Sequence, residues 1–379
     1  MGNNIPQGYK ATALGIIPQE WEIKSLNKAC DFLDSQRIPI KDSERAKISG
    51  IYPYYGASGI IDYVNNYIFN DDLILLAEDG ANIINRSTPI AFLVNGKIWV
   101  NNHAHVLKAK PSFDRYYLCA YLESLKYDKY NTGTAQPKLN REVCEKIPIL
   151  APPLAEQRKI AEVLGVWDEA IEKQARLIEK LALRKRALMQ RLLSAKLRLP
   201  GFSEKWEEVE LGEVLSYEQP TPYIVRDTNY QNDYKIPVLT AGKTFILGYT
   251  NEEIGICKNI PVILFDDFTT DSRYIDFEFK VKSSATKLLR AKSQNNLYFI
   301  FCALQCFKYS IGGHERHWIS KFQYFTIALP SIEEQTAIAE VLTAADREIE
   351  LAKEKLERLR RQKRGLMQQL LTGKKRVKY

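Results

Sequence analysis

The sequence predicts an α/β (α+β) chain built twice. Two similar mixed α/β segments are each followed by a long helix, and the two helices pair antiparallel as a coiled coil within an internal pseudo-two-fold repeat. Three observations carry this. Residues 152–196 align without gaps on residues 330–374, with 21 of 45 positions identical, so the chain is a duplication. Both copies space their apolar residues alternately four and three apart for more than four heptads. The stretches before each copy carry short β-type runs broken by Gly, Pro and Asn instead. The predicted segments are 1–150, 151–198, 199–330 and 331–379.

The bulk properties bound the problem. A chain of 379 residues, 45% hydrophobic and 26% charged, is long enough for two or three globular domains. It has no apolar run long enough to span a bilayer, and Met1 to Lys10 lacks the apolar core of a leader, so a cytoplasmic protein without a membrane association is expected. Six scattered cysteines without a CxxC pair argue against a zinc ribbon, a redox motif or a disulfide scaffold.

The first segment opens with Trp21 and Leu26, a lead that Trp206 and Leu211 repeat before the second copy. Strands are expected at Leu73 to Ala77, Ile90 to Val94 and Lys97 to Val100, and a helix near Arg115 to Tyr127. Its loops collect polar, aromatic and glycine residues: Tyr52 to Gly56, Glu78 to Asn82, Asn101 to His103 and Gly133 to Asn140. Such side chains read base edges or grip phosphates, whereas any one loop of this kind is also an ordinary turn.

The first helix starts at Pro152-Pro153 with Glu156 in its opening turn, a start signal because acids suit the positive end of the helix dipole. Its seam runs Ile160, Leu164, Trp167, Ile171, Ile178, Leu181, Leu188; that of the second helix runs Ile338, Leu342, Ile349, Leu356, Leu359, Leu366. The seam spacing implies rods of roughly 60 Å. Lys185 and Lys363 occupy matched seam positions, with Gln174 also polar there, and polar seam residues specify register at some cost in stability.

The second segment predicts strands at Ile260 to Phe265, Tyr274 to Val281 and Phe325 to Leu329, and a helix near Leu297 to Lys308. Its polar loops are Thr240 to Lys243, Asp266 to Thr270 and Gly312 to Lys321. The net charge of +8 lies in the helices: 11 basic against 6 acidic residues in 151–198 and 12 against 8 in 331–379, with 17 against 16 and 14 against 16 in the two segments. Cations late in a helix answer to its dipole and to a solvated face, or to phosphates and acidic partners.

The chemistry is bounded by what is missing. There is no GxxxxGK[ST] phosphate loop and no GxGxxG, and the Pro-Pro pair opens a helix rather than lining a methyltransferase pocket. His103 with His105, and His314 with His317, lack the spacing of a metal site, so no metal is expected. Asp266-Asp267 has no catalytic framework around it, and no catalytic residue is expected.

The order of segments and rods resembles the specificity subunit of a type I restriction-modification system. The resemblance covers the whole chain. It rests on the duplicated P-x-x-x-EQ-x-x-IAEVL-x-x-x-D-x-x-IE helices, on YPYYGASGIIDY (Tyr52 to Tyr63), AEDGAN (Ala77 to Asn82), VNNHAHVLK (Val100 to Lys108) and TGTAQPKLN (Thr132 to Asn140), and on ILFDDFTTDS (Ile263 to Ser272) and SSATKLL (Ser283 to Leu289). The resemblance implies two target-recognition domains that each read half of a bipartite asymmetric sequence in double-stranded DNA. It implies helices that set the spacer and dock two modification (methyltransferase) subunits and, through them, restriction subunits. It also implies a non-catalytic chain without its own cofactor, with S-adenosylmethionine, ATP and Mg on the partners; the alternatives are a specificity chain of a methylation-only or related restriction class and, behind these, a stand-alone DNA methyltransferase or nuclease. By resemblance and side-chain chemistry the DNA-binding candidates are Tyr54, Tyr55, Asn102, His103, Gln136 and Lys138, then Lys243, Asp267, Thr269, His314, Arg316 and Trp318.

Overall fold

A computed structural model of the chain describes residues 5–240, 244–307 and 317–378. It divides into two compact units, one of Met1–Gln174 with Lys355–Tyr379, the other of Ala175–Glu354. Both long helices, Leu154–Leu192 and Ile332–Leu370, are 39 residues long, about 58 Å each at 1.5 Å per residue. Each helix gives one part to each unit. Among the described residues no helix is long and apolar enough to cross a membrane.

The first unit contains β1 (Tyr9–Thr12), β2 (Gly15–Pro18), β3 (Glu22–Ser25), β4 (Cys30–Phe32), β5 (Ser49–Gly56), β6 (Gly59–Val64), β7 (Phe69–Asn70), β8 (Leu73–Ala77), β9 (Ala91–Val94), β10 (Lys97–Val100), β11 (Ala104–Ala109) and β12 (Pro148–Ala151). The central sheet is antiparallel in the order β4-β11-β8-β9; a second sheet has the order β6-β5-β10-β7, with β5 and β10 parallel. Every residue of β8 is buried. A strand covered on both faces needs an unbroken apolar run, and side-chain alternation sends its neighbours to opposite layers. Ile74 and Leu76 accordingly join Trp21, Leu26, Tyr117 and Leu118, while Leu73 and Leu75 join Phe69, Ile98 and Val100 from the second sheet.

The second unit holds β13 (Glu207–Glu210), β14 (Leu215–Glu218), β15 (Ile236–Leu239), β16 (Ile246–Thr250), β17 (Val262–Asp266), β18 (Ser272–Ile275), β19 (Lys280–Val281), β20 (Thr286–Ala291) and β21 (Thr326–Leu329). It repeats the plan. The central order is β14-β20-β17-β18, the second sheet is β16-β15-β19 with β15 and β19 parallel, and β13 pairs β21 as β3 pairs β12. Ile263 and Phe265 enter one core, Val262 and Leu264 the other. The duplication therefore extends at the level of fold into segments whose sequences have diverged.

Helix pairing is antiparallel inside each unit. In the first, Glu156 and Asp168 meet Arg376 and Lys363, so residue numbers rise on one strand of contacts as they fall on the other. In the second, Lys185 and Arg198 meet Asp346 and Glu334 in the same sense. The seam is less exclusive than its spacing implies. Ile160 and Leu164, with Met367 and Leu370, lie in the main core of the first unit, and Ile338 and Leu342, with Leu192, in that of the second. These residues serve the α/β domain as well as the facing helix, because the helix ends lie against it. A cluster of helix residues alone forms at Leu181, Ile349 and Ala352, with Ile178 beside it. Leu356 is buried; Trp167, Ile171, Leu188, Leu359 and Leu366 are half-buried.

Candidate nucleic-acid interface

The identical residues of the repeat fasten each α/β domain to its helix. Gln157 Oε1 accepts the backbone N–H of Asp114 at 2.9 Å, and Gln335 Oε1 accepts that of Asn296 at 2.9 Å. Asp114 and Asn296 in turn cap the helices Arg115–Ser124 and Leu297–Gln305, each side chain accepting the N–H three residues on. Trp21 Nε1 donates to Glu156 and Trp206 Nε1 to Glu334, both at 2.9 Å. The Tyr116 and Tyr298 hydroxyls donate to Asp168 and Asp346, and burial together with those carboxylates raises both phenols well above their ordinary range.

Each domain so mounted gathers three loops at one end of its central sheet. In the first unit, Glu78 after β8 donates its N–H to His103 O at 2.9 Å and accepts Leu139 N–H at 2.7 Å; Gly80 N–H reaches Pro137 O at 3.0 Å. The loops 78–82, 101–103 and 133–140 are thereby one surface. Beneath them lies His105, fully buried, with Nδ1 2.7 Å from Asp34 Oδ2 and Nε2 2.7 Å from Leu139 O. Both neighbours only accept, so both ring nitrogens carry protons. Burial opposes that charge, but the bond to Asp34, with help from Cys144, outweighs it and pushes the pKa up to about 10. Burial likewise works against ionised Asp34, and the bonds from His105 and Val106 N–H outweigh it and hold its carboxyl below the ordinary value.

Sheet register aligns the second unit on the first. His105 faces Leu76 across β11 and β8, and Lys287 faces Phe265 across β20 and β17. The same count sets Asp34 against Gln219, Glu78 against Asp267 and His103 against Ala285. Two of the contacts recur at the matched positions. Lys287 Nζ lies 3.0 Å from Gln219 Oε1 and 3.6 Å from Asp267, as His105 lies 3.7 Å from Glu78. Asp267 N–H donates to Ala285 O at 3.1 Å, and Asp267 accepts the backbone N–H groups of His317 (3.2 Å) and Trp318 (2.9 Å) from the third segment.

The candidates divide accordingly. Asn102, His103, Gln136 and Lys138 are exposed on the first surface, His103 paired with Asp79 at 2.8 Å and Lys138 3.5 Å from Glu78. Thr269 is exposed beside the second. Tyr55 is half-buried on β5, its carbonyl accepting Asn101 N–H at 3.0 Å. Three residues depart from the expectation of base contact. Tyr54 is buried, its hydroxyl accepting Ile40 N–H at 3.0 Å under the Arg45 guanidinium; Asp267 is buried on Lys287; and Trp318 packs its ring against Phe265. All three shape the surface from below. Lys243, His314 and Arg316 lie outside the described residues.

Sequence reasoning missed the supporting residues Asp34, Arg37, Gln219 and Lys287. Arg37 bonds Glu78 at 2.7 Å and Ala104 O at 2.8 Å, tying loop to strand. For Lys287 the missed signal was a charge at an interior position of an apolar strand, TKLLRA, which must be paired to be tolerated; Asp34, Arg37 and Gln219 lie outside the strands and carry no such signal. Charges on both surfaces are mixed in sign, while Arg186, Arg191, Arg358, Arg361 and Arg364 stand exposed on the long helices. Among the described residues no group of three His, Cys, Asp or Glu side chains could hold a metal ion.

Residues 18–182 and 203–361 match the family described as type I restriction modification DNA specificity domain. The chain is similar to the type I restriction enzyme EcoR124I/EcoR124II specificity subunit of Escherichia coli, at 46% identity over 138 residues, 35% of this chain and 34% of the relative. That match spans about a third of the relative's length. A putative type I restriction enzyme MjaX specificity subunit of Methanocaldococcus jannaschii is 26% identical over an alignment 427 positions long, gaps included, covering 98% of this chain and 97% of the relative. In fold, the chain is similar to the crystal structure of a type I restriction-modification S subunit from M. genitalium, with a TM-score of 0.61, 17% identity, and coverage of 92% of this chain and 96% of that one.

Proposed function

The chain belongs to the type I restriction modification DNA specificity family, and we propose that it is the sequence-reading subunit of a type I restriction-modification complex. Each unit reads one half of a split, asymmetric duplex sequence. The first reads through Asn102, His103, Gln136 and Lys138 with Tyr55 at their flank, the second through Thr269 with Lys243, His314 and Arg316. The long helices set the unread spacer and dock two modification subunits, which bring S-adenosylmethionine. Restriction subunits bring ATP and Mg. The chain itself supplies recognition and no chemical step.

The observation that carries this reading is the repeated three-loop surface, held at one sheet register in both units although the loop residues differ. A common frame with divergent exposed side chains is what two readers of different half-sites require. The near-neutral domains fit readout better than grip, and the phosphate attraction that dominates affinity then falls to the cationic helices and the modification subunits. The test is to exchange residues 1–150 for those of another family member and sequence the methylation pattern of cells that also carry the modification partner. One half of the methylated motif should change, with the other half and the spacer retained. A change in both halves, or in neither, refutes the reading.

A further inference from the structure

The buried cation beneath each loop surface occupies one register position in both units, yet its chemistry differs: imidazolium at His105, ammonium at Lys287. Its partners also hold their places. A residue just past β4 or β14 (Asp34, Gln219) offers an oxygen at 2.7 or 3.0 Å, and a carboxylate just past β8 or β17 (Glu78, Asp267) stands at 3.7 or 3.6 Å. That carboxylate residue is also the backbone knot of the surface, bonded to both neighbouring loops. A core that needed only filling would hold Leu or Val here, as the neighbouring positions of β11 and β20 do. An ion inside an apolar sheet is costly unless fully paired, and a pair of fixed geometry specifies one arrangement of the groups it joins.

We propose that His105 and Lys287 are positioning residues for DNA readout: each holds the loop after the central strand, and through it the neighbouring loops, in the one arrangement that sets the exposed side chains against base edges. This rests on the reading of these loops as the recognition surfaces. The cation touches no base. It lies under the Glu78 carboxylate at 3.7 Å and under that of Asp267 at 3.6 Å, an electrostatic contact that in the first unit adds to the direct Arg37 bond at 2.7 Å and to the hydrogen bond from His105 to Leu139 O.

The test uses the assembled specificity and modification complex and compares methylation rates on the matched target with those on targets carrying one substitution in either half-site. His105→Leu should lower discrimination at the first half-site by about tenfold or more, since misplaced donors lose the selectivity of good base contacts. Discrimination at the second half-site should stay intact, which also shows that the chain has folded and assembled. Lys287→Leu should do the reverse. His105→Lys and Lys287→His, each taking the other unit's residue, should restore most of the lost discrimination. The inference is overturned if His105→Leu lowers the unfolding temperature while both half-sites keep their discrimination. It is overturned equally if His105→Lys is as poor as His105→Leu. A wild-type complex without half-site discrimination would instead remove the recognition reading on which the inference stands.

Discussion

Lys185 on the first long helix donates to Asp346 on the second at 2.5 Å, and Lys363 donates to Asp168 at 2.5 Å in the matching place of the other unit. The sequence places these lysines at seam positions, and the contact says what they specify. Sliding one helix by a turn, about 5.4 Å, would leave each lysine without its carboxylate. A double-mutant cycle of Lys185→Met and Asp346→Asn, followed by urea denaturation, should give a coupling of about 1 kcal/mol, modest because Asp346 is 40% exposed. Strict additivity of the two substitutions would show that the pair fixes nothing.

Glu156 is a stronger case because it is fully buried, with Arg376 Nε at 2.6 Å and Trp21 Nε1 at 2.9 Å. Glu156→Ala should destabilise the first unit by about 3–5 kcal/mol, the cost of stranding a paired group. Ending the chain after Leu371 should have a related effect, since Gly373 and Arg376 are lost. Gly373 has φ +71°, accepts the Tyr9 hydroxyl through its carbonyl at 3.1 Å, and sits where a Cβ would come within 2.4 Å of Pro18. Limited proteolysis should then cut the first unit faster while the second keeps its protection. Equal loss of protection in both would contradict the assignment of the tail to the first unit.

The His105–Asp34 pair sets a pH window. The folded-state pKa of about 10 exceeds the ordinary 6.5, so the stabilisation is complete below pH 6.5 and is lost as pH rises towards 10. Asp34 runs the other way: its contribution is present above the ordinary 3.8 and disappears as acid protonates it. Hydrogen exchange of peptides from residues 73–109 should report a few kcal/mol less protection at pH 10 than at pH 6. His105→Leu should flatten that slope. An unchanged slope in the variant would place the titrating group elsewhere.

Exposed and buried candidates should separate in binding. If Asn102 reads an adenine edge, Asn102→Ala costs about 1–3 kcal/mol and relaxes selection at one base pair. Tyr54→Phe keeps the buried ring and should leave half-site selection unchanged. Competition binding of the assembled complex against single-substitution targets measures both. A uniform loss on every sequence for Asn102→Ala would assign it to phosphate instead.

Removing seven residues from each long helix shortens each rod by roughly 10 Å, or about three base pairs at 3.4 Å per step. The preferred spacer, read from the methylation pattern, should shrink to match while both half-sites persist. Retention of the original spacer would exclude the helices as its ruler.

The parts of this architecture that were legible in the sequence are those fixed by periodicity. Leu73–Ala77 read directly as a buried strand because five apolar residues in a row admit few alternatives, and the 39-residue helices followed from their heptads. That the two segments are similar mixed α/β domains was legible, but which strand answers to which was not, since that correspondence resides in backbone pairing and register rather than in residue identity. The loops of the candidate surface were found by composition, but composition does not distinguish a residue on a surface from one beneath it. Tyr54, Asp267 and Trp318 carry the right chemistry and lie buried, while Lys287, inside the SSATKLL motif but on none of the polar loops, supports the surface from a buried strand.

The second unit is a single stretch, Ala175–Glu354, whereas the first needs both ends of the chain. During synthesis the middle of the protein can close as soon as Glu354 clears the ribosome. The N-terminal domain, although made first, waits for the last residues before Arg376 can reach Glu156, 220 positions away in sequence. The order of completion is thus inverted relative to the order of translation, and a chain that stopped just after Glu354 would hold all of the second unit and only part of the first.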